Sequence, residues 1–98
     1  MKEYFVYMTT NKKKSVIYTG ITNDLRIRID QHYQDSIKEK KSFAGKYNCC
    51  HLVYYEKFDT PSEAILKEKT IKKWRREKKD KLIQEFNPNW QFLENDIL

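Results

Sequence analysis

The sequence predicts a small α+β domain, and three features carry that prediction. Three segments have the aromatic and β-branched composition of strands, namely Tyr4 to Met8, Val16 to Ile21 and His51 to Phe58. Two other segments place apolar residues at helical spacing behind capping residues. A chain of 98 residues can bury one modest core, so we expect a single domain over residues 1–98.

The first two strand segments flank a polar stretch, Thr9 to Lys14, and this pattern predicts a β-hairpin. Alternation along the second strand puts Tyr18 and Gly20 on one face. Tyr7 and Tyr18 lie at similar distances from the turn, so we expect them to be cross-strand neighbours. Gly20 lacks a Cβ, and we expect substrate to approach the backbone there.

An amphipathic helix is expected to begin at Asn23 or Asp24. Arg28 and His32 are four residues apart and therefore share one side of that helix. The two tyrosines of the hairpin, a guanidinium and an imidazole would then converge beside Gly20.

A second helix is expected to begin at Thr60, with Pro61 in the first helical position and Glu63 completing a capping box. Glu68 falls within its apolar stripe, where an unpaired carboxylate is costly. From the residues alone, an ion pair with a neighbouring base and a metal or cleft role both stay open. The helical pattern continues past Trp74 until proline stops it at Pro88.

The core is expected over about residues 4–86, with residues 87–98 as a C-terminal tail whose last residues, Glu94 to Leu98, form a loose end. Cys49 and Cys50 are adjacent and cannot form a disulfide framework, so we expect reduced thiols. No apolar run reaches secretory or membrane-spanning length, and a cytoplasmic location is the expectation.

The net charge of +6 is concentrated in one segment. Residues 67–81 hold nine basic and three acidic side chains, while the rest of the chain is balanced. A solvated helix face is the plain interpretation of such a run, and contact with a polyanion is the functional one. The candidates for nucleic-acid binding are Lys67, Lys69, Lys72, Lys73, Arg75 and Arg76.

Two short motifs resemble those of a known family. Phe5-Val6-Tyr7 stands where the GIY-YIG nuclease family has G-I-Y, and Tyr18-Thr19-Gly20 stands where it has Y-I-G. Arg28-Ile29 resembles the arginine and aliphatic residue of the helix that follows. The chain is most similar to the small stand-alone bacterial members, of URI type. Phe5 and Thr19 depart from the motifs without removing a chemical group.

The resemblance implies the GIY-YIG nuclease fold, a three-stranded antiparallel sheet flanked by helices. It also implies a metal-dependent endonuclease that cleaves DNA phosphodiester bonds. Tyr7 would be the base or position the water, Tyr18 its hydrogen-bonding partner, and Arg28 the phosphate ligand. His32 would be a proton relay or phosphate ligand. Glu68 would bind one Mg²⁺ or Mn²⁺.

Single-stranded, duplex and branched DNA all remain open as substrates, as do DNA repair and recombination as the process. Low sequence specificity and a monomer are expected, with no obligate protein partner. Some family members use a late asparagine, for which Asn87 and Asn89 are alternatives. The rival function is a non-catalytic nucleic-acid-binding module, and a third is a scaffold whose basic helix meets an acidic protein.

Overall fold

The computed structural model describes residues 3–37 and 48–97. In chain order the elements are β1 (Tyr4–Thr10), β2 (Ile17–Thr22), α1 (Leu25–Ile37), β3 (His51–Phe58), α2 (Pro61–Lys72), α3 (Arg76–Phe86) and α4 (Glu94–Ile97). The strands form one antiparallel sheet in the order β2-β1-β3. The predicted α+β fold with a three-stranded antiparallel sheet is therefore confirmed. Within the described ranges, no helix combines the length and apolar character needed to cross a bilayer.

Strand β1 lies in the middle of the sheet and is buried on both faces. One face packs against α2 and α3 through the buried residues Val6, Met8, Ala64, Ile71 and Ile83. The other face packs against α1 through Tyr7, Leu25, Ile29 and Leu52. This division follows the period-2 alternation of a strand. It places Tyr7 on the α1 face.

The register of the hairpin differs from the prediction. Tyr7 pairs with Gly20, and Tyr18 pairs with Thr9, so the two tyrosines are diagonal neighbours rather than directly opposite. The reason is that pairing begins at Thr10, beyond the predicted end of β1. The two tyrosines nevertheless share one face, as predicted.

Capping residues begin the first two helices. The Ile27 N–H donates to Asp24 Oδ1 at 3.1 Å, so Asp24 caps α1. The Glu63 N–H donates to Thr60 Oγ1 at 3.3 Å, and the Thr60 hydroxyl donates to Glu63 Oε1 at 2.8 Å. Both predicted helix starts are confirmed.

The predicted continuous helix through the basic segment is wrong. Helix α2 ends at Lys72, and α3 begins at Arg76. At the break, hydrogen bonds between residues three apart form a 3₁₀-type turn, from the Lys73 N–H to Thr70 O at 3.2 Å and from the Trp74 N–H to Ile71 O at 3.0 Å. No glycine or proline marks the break, which explains why the residue pattern did not reveal it.

Arg76 turns α3 toward the hairpin. Its guanidinium donates to Lys14 O at 2.7 Å, to Ser15 O at 2.9 Å and to Asp80 Oδ1 at 2.7 Å. Lys14 has a φ of 59°, and the Asn11 side chain accepts the Ser15 N–H at 2.8 Å, so a structured turn presents these carbonyls. Arg76 therefore links the start of α3 to the hairpin turn.

The predicted loose end is also wrong for residues 94–97. The Leu93 N–H donates to Leu52 O at 2.7 Å, and Glu94 Oε1 accepts the Leu52 N–H at 2.9 Å. Glu94 Oε2 lies 2.7 Å from His51 Nδ1. Because β3 is an edge strand, these bonds satisfy backbone groups that would otherwise be open to pairing with another chain.

Asn87 fixes the path of the tail. Its Nδ2 donates to Val53 O at 3.1 Å and to Gln91 O at 2.8 Å, while its Oδ1 accepts the Gln91 N–H at 3.0 Å. The side chain is buried, whereas Asn89 is exposed. These bonds give Asn87 a structural role. Cys49 is buried and Cys50 is half-buried, and neither of them forms a disulfide.

Candidate active site

Tyr7 is the centre of the candidate site. It lies on the central strand, its side chain is fully buried, and its Oη is 2.8 Å from His32 Nε2. Arg28 Nε donates to the same oxygen at 3.1 Å. A strand residue and two residues one helical turn apart on α1 thus meet at one phenolic oxygen.

Three aromatic rings pack around this oxygen. The ring centroids of Tyr7 and Tyr18 are 6.2 Å apart, and those of Tyr7 and His32 are 5.6 Å apart. Tyr18 meets His32 edge-on at 5.2 Å. These distances are typical of favourable aromatic packing. The structure therefore brings together Tyr7, Tyr18, Arg28 and His32, the group predicted to converge.

Gly20 makes room for Tyr7. A Cβ at this position would lie 2.5 Å from Tyr7 Oη, 2.6 Å from Tyr7 Cζ and 2.9 Å from Tyr18 Cε2. No side chain fits at such distances without moving the rings. The space over the glycine, predicted to admit substrate, is filled by the Tyr7 phenol.

The charges of the cluster follow from its burial. Burial raises the pKa of the Tyr7 phenol, and this outweighs the Arg28 hydrogen bond, which lowers it. Burial first and the Arg28 charge second lower the pKa of His32 to about 4. The Tyr7 hydrogen bond raises the pKa of Arg28. At neutral pH the cluster therefore holds a neutral phenol, a neutral imidazole and a guanidinium cation.

These charges assign the direction of the hydrogen bonds. Because Arg28 can only donate, the Tyr7 oxygen accepts from it, and we assign the phenolic proton to the bond toward His32 Nε2. His32 then carries its own proton on Nδ1. That nitrogen is buried and has no hydrogen-bond partner within the described part of the chain. An unsatisfied buried donor is costly, and such costs are common at functional sites.

Gln31 was missed by the sequence reasoning. Arg28 Nη1 donates to Gln31 Oε1 at 3.1 Å, which fixes one edge of the guanidinium on the surface of α1. The two residues are three apart on a helix, and this spacing was the available signal. Gln31 orients Arg28 toward the cluster.

Glu68 lies on α2, in line with the buried residues Ala64 and Ile71, as the stripe predicted. Its side chain is only 14% exposed. Lys72 Nζ lies 2.9 Å from Glu68 Oε2, so Glu68 forms an ion pair with a neighbouring basic residue, one of the two roles that the sequence allowed. Lys72 also lines a cavity with Tyr18, so the lysine of the ion pair and one ring of the Tyr7 cluster border the same space.

The donor set at Glu68 fits a hard divalent cation with one protein ligand. The described residues contain no group of three or more His, Cys, Asp or Glu side chains that could hold a metal. Mg²⁺ accepts one or two carboxylates and completes its shell with water and substrate phosphate. Glu68 is a poorly exposed carboxylate that already attracts a cation, the Lys72 ammonium.

The predicted nucleic-acid-binding residues differ in their contacts. Lys69, Lys73 and Arg75 are exposed. Lys67 Nζ is 3.9 Å from Glu56 Oε1, a long and weak pair. Arg76 is the exception, because its guanidinium donates to Asp80 and to the Lys14 and Ser15 carbonyls within the fold.

Comparison with known proteins identifies the family. The model of the GIY-YIG catalytic domain matches residues 3–81. The chain belongs to this family. GIY-YIG domains are nuclease domains, and the matched range contains the whole Tyr7 cluster together with Glu68.

The similar GIY-YIG chains carry names that describe no activity. UPF0213 proteins of Staphylococcus aureus strains Mu3 and COL are each 34% identical over 85 residues, covering 87% of this chain and 99% of theirs. The UPF0213 protein BH0048 of Bacillus halodurans, solved by NMR in solution, has a TM-score of 0.52 at 28% identity. That comparison covers 96% of this chain and 93% of the other.

Proposed function

We propose that this protein is a divalent-metal-dependent endonuclease that hydrolyses DNA phosphodiester bonds with little sequence specificity. One observation carries the proposal, namely the hydrogen-bonded line from Arg28 through Tyr7 to His32. It combines a phosphate-binding cation with a route for the proton of an attacking water. Membership of the GIY-YIG family supports the reaction class.

Arg28 is the phosphate ligand of the proposal. Its side chain is partly exposed, and two of its five guanidinium donors bond to Tyr7 and Gln31. Further donors on the same planar fork suit the non-bridging oxygens of a phosphodiester. The fixed positive charge then stabilises the negative charge that develops on the phosphate during hydrolysis.

Tyr7 moves the proton in this proposal without ionising. Because its pKa is raised, a free phenolate is not available at neutral pH. Tyr7 instead passes its proton to His32 Nε2 while it takes one from the attacking water. Arg28 is one cause of the low pKa of His32, so a phosphate that neutralises Arg28 makes His32 a better proton acceptor. Tyr18 holds the Tyr7 and His32 rings in place.

Glu68 would hold the divalent ion, Mg²⁺ or Mn²⁺. When bound, such an ion supplies Lewis-acid stabilisation of phosphate charge. For Glu68 to bind it, Lys72 must release the carboxylate.

The DNA-binding surface of the proposal is formed by the half-buried Lys67 and the exposed Lys69, Lys72, Lys73 and Arg75 of the basic segment. Ammonium and guanidinium groups there contact phosphates, which position a protein on DNA but do not read its sequence. We assign the activity to DNA repair or recombination in the cytoplasm, carried out by a monomer.

A non-catalytic nucleic-acid-binding module is the second candidate. The observation that favours it is the Lys72 ammonium on Glu68, which competes with a metal for the carboxylate. A binder of this kind responds to salt but not to divalent ions.

The test uses labelled single-stranded, duplex and branched DNA with Mg²⁺ or Mn²⁺, and compares wild type with Arg28→Ala and Glu68→Ala. The nuclease proposal predicts metal-dependent cleavage that is lost in both variants while DNA binding persists. Equal cleavage by all three proteins would indicate a contaminant and contradict the site. Salt-sensitive binding without cleavage of any substrate would favour the binding module.

A further inference from the structure

A cavity of about 310 Å³ lies along strand β2, lined by Ile17, Tyr18, Thr19, Lys72 and Lys79. Strand β2 is at the edge of the sheet, so this cavity lies where the sheet meets the basic helices. None of these five described lining residues is acidic. The wall that contains Tyr18 is shared with the Tyr7 cluster, because the Tyr18 ring also packs against Tyr7 and His32.

The two lysines of the cavity come from different helices, Lys72 from the end of α2 and Lys79 from α3. Among the described residues, Lys79 forms no ion pair, whereas Lys72 pairs with Glu68 and remains half-exposed. The helix break at Lys73 to Arg75 brings these ammonium groups to one cavity. A single continuous helix would separate them by seven residues along its axis, about 10 Å.

Arg76 holds the cavity in shape. It lies one helical turn before Lys79 and binds the Lys14 and Ser15 carbonyls of the hairpin turn at 2.7 and 2.9 Å. The start of α3 is thereby fixed to the strand that supplies Ile17. Lys79 is therefore presented to the cavity by a tethered helix rather than by a free surface.

We propose that this cavity binds a phosphate group of the nucleic-acid strand, next to the phosphate held at Arg28, with Lys79 as its main ligand. The inference rests on the proposed function in taking a nucleic acid as substrate. The cavity is concave, and the Lys79 ammonium in it has no ion-pair partner among the described residues. Such a site favours a phosphate over a neutral ligand. It assigns a specific role to Lys79, which belongs to the basic segment 67–81 but is not one of the six residues predicted to bind nucleic acid.

The first experiment measures binding without metal, so that cleavage plays no part. Inorganic phosphate and a single-stranded oligonucleotide are each titrated into ¹⁵N-labelled protein and followed by NMR. The proposal predicts amide shifts at Ile17 to Thr19 and at Lys79 with both probes. Lys79→Gln should abolish them, whereas Lys81→Gln, an equal charge change on the exposed side of α3, should keep them.

The second experiment measures oligonucleotide affinity against salt, again with a chelator present. Lys79→Gln should reduce the slope of log affinity against log salt by about 0.7, the value of one phosphate contact on a single strand, relative to Lys81→Gln. Equal slopes in the two variants would overturn the proposal. Phosphate shifts with an unchanged oligonucleotide slope would identify a free-phosphate site and overturn it as well.

The outcome is separable from that of the nuclease proposal. Absence of cleavage by wild type leaves the Lys79 measurements valid, and a negative Lys79 result leaves the Arg28 and Glu68 tests unaffected. Thermal unfolding of Lys79→Gln and Lys81→Gln confirms that both variants are folded before binding is compared.

Discussion

Replacing Gly20 by alanine tests the packing at the centre of the site. The added Cβ would lie 2.5 Å from Tyr7 Oη and 2.6 Å from Tyr7 Cζ, where ordinary contact begins at 3.4 Å. The phenol must therefore move by about 0.9 Å. Tyr7 is not the free end of a flexible side chain, because its ring is buried and its oxygen is bonded to His32 and Arg28.

The size and sign of the effect follow from this geometry. Gly20 does not have a positive φ, so without the clash alanine would stabilise the fold by about 0.4–1 kcal/mol. Overpacking costs about 1–3 kcal/mol, and weakening the Tyr7 hydrogen bonds adds about 1 kcal/mol. The net of these three contributions lowers the free energy of unfolding of Gly20→Ala by about 1–3.5 kcal/mol. A phenol displaced by about 1 Å should also lower the cleavage rate by about 100-fold.

Urea denaturation of four proteins measures this effect, namely wild type, Gly20→Ala, Tyr7→Phe and the double variant. Phenylalanine lacks the oxygen closest to the new Cβ and is released from both hydrogen bonds. The cost of Gly20→Ala should therefore fall by about 1 kcal/mol or more in the Tyr7→Phe background. A Gly20→Ala protein as stable as wild type, or more stable, would refute the reasoning.

Two further predictions concern the ionisable groups. Lys72→Gln should raise the affinity for Mn²⁺ about two- to fivefold, because it removes the cation that competes for Glu68. Calorimetry without DNA measures this affinity, and the control Lys69→Gln should change it little. An equal gain in both variants would contradict the competition between Lys72 and the metal. His32 has a pKa of about 4 in the folded protein and 6.5 when unfolded, so the unfolded chain binds the proton first as pH falls. The folded state keeps about 3 kcal/mol of stability above pH 6.5 because His32 is neutral there, and it loses this stability as the pH falls toward 4. Urea denaturation should show this loss in wild type and His51→Gln but not in His32→Gln, and a loss preserved in His32→Gln would contradict the assignment.

Most of the fold could be predicted from local features of the sequence. Alternation along β1 sorted Tyr7 from Val6 and Met8, and the caps at Asp24 and Thr60 located two helix starts. These signals act over a few residues and are visible in the chain itself. The convergence of Tyr7, Tyr18, Arg28 and His32 followed from the same periodicities together with the family resemblance.

The features that were missed depend on contacts between distant residues. The break before Arg76 is tied to the hairpin carbonyls 61 and 62 residues earlier in the chain, and the docked tail depends on Glu94 and Asn87 meeting β3. To predict that Gly20 pairs with Tyr7, one must know the register of the hairpin, which is set by the pairing of Thr10 with Ile17. No local pattern encodes such contacts.

The most direct test of the central claim is the single-turnover rate of DNA cleavage by Arg28→Ala beside Arg26→Ala. Both variants remove one arginine from α1, but Arg28 donates to the Tyr7 phenol, whereas Arg26 is exposed. The account predicts metal-dependent cleavage by wild type, a rate near wild type for Arg26→Ala, and a loss of at least about 100-fold for Arg28→Ala. Equal rates for the two variants would contradict it.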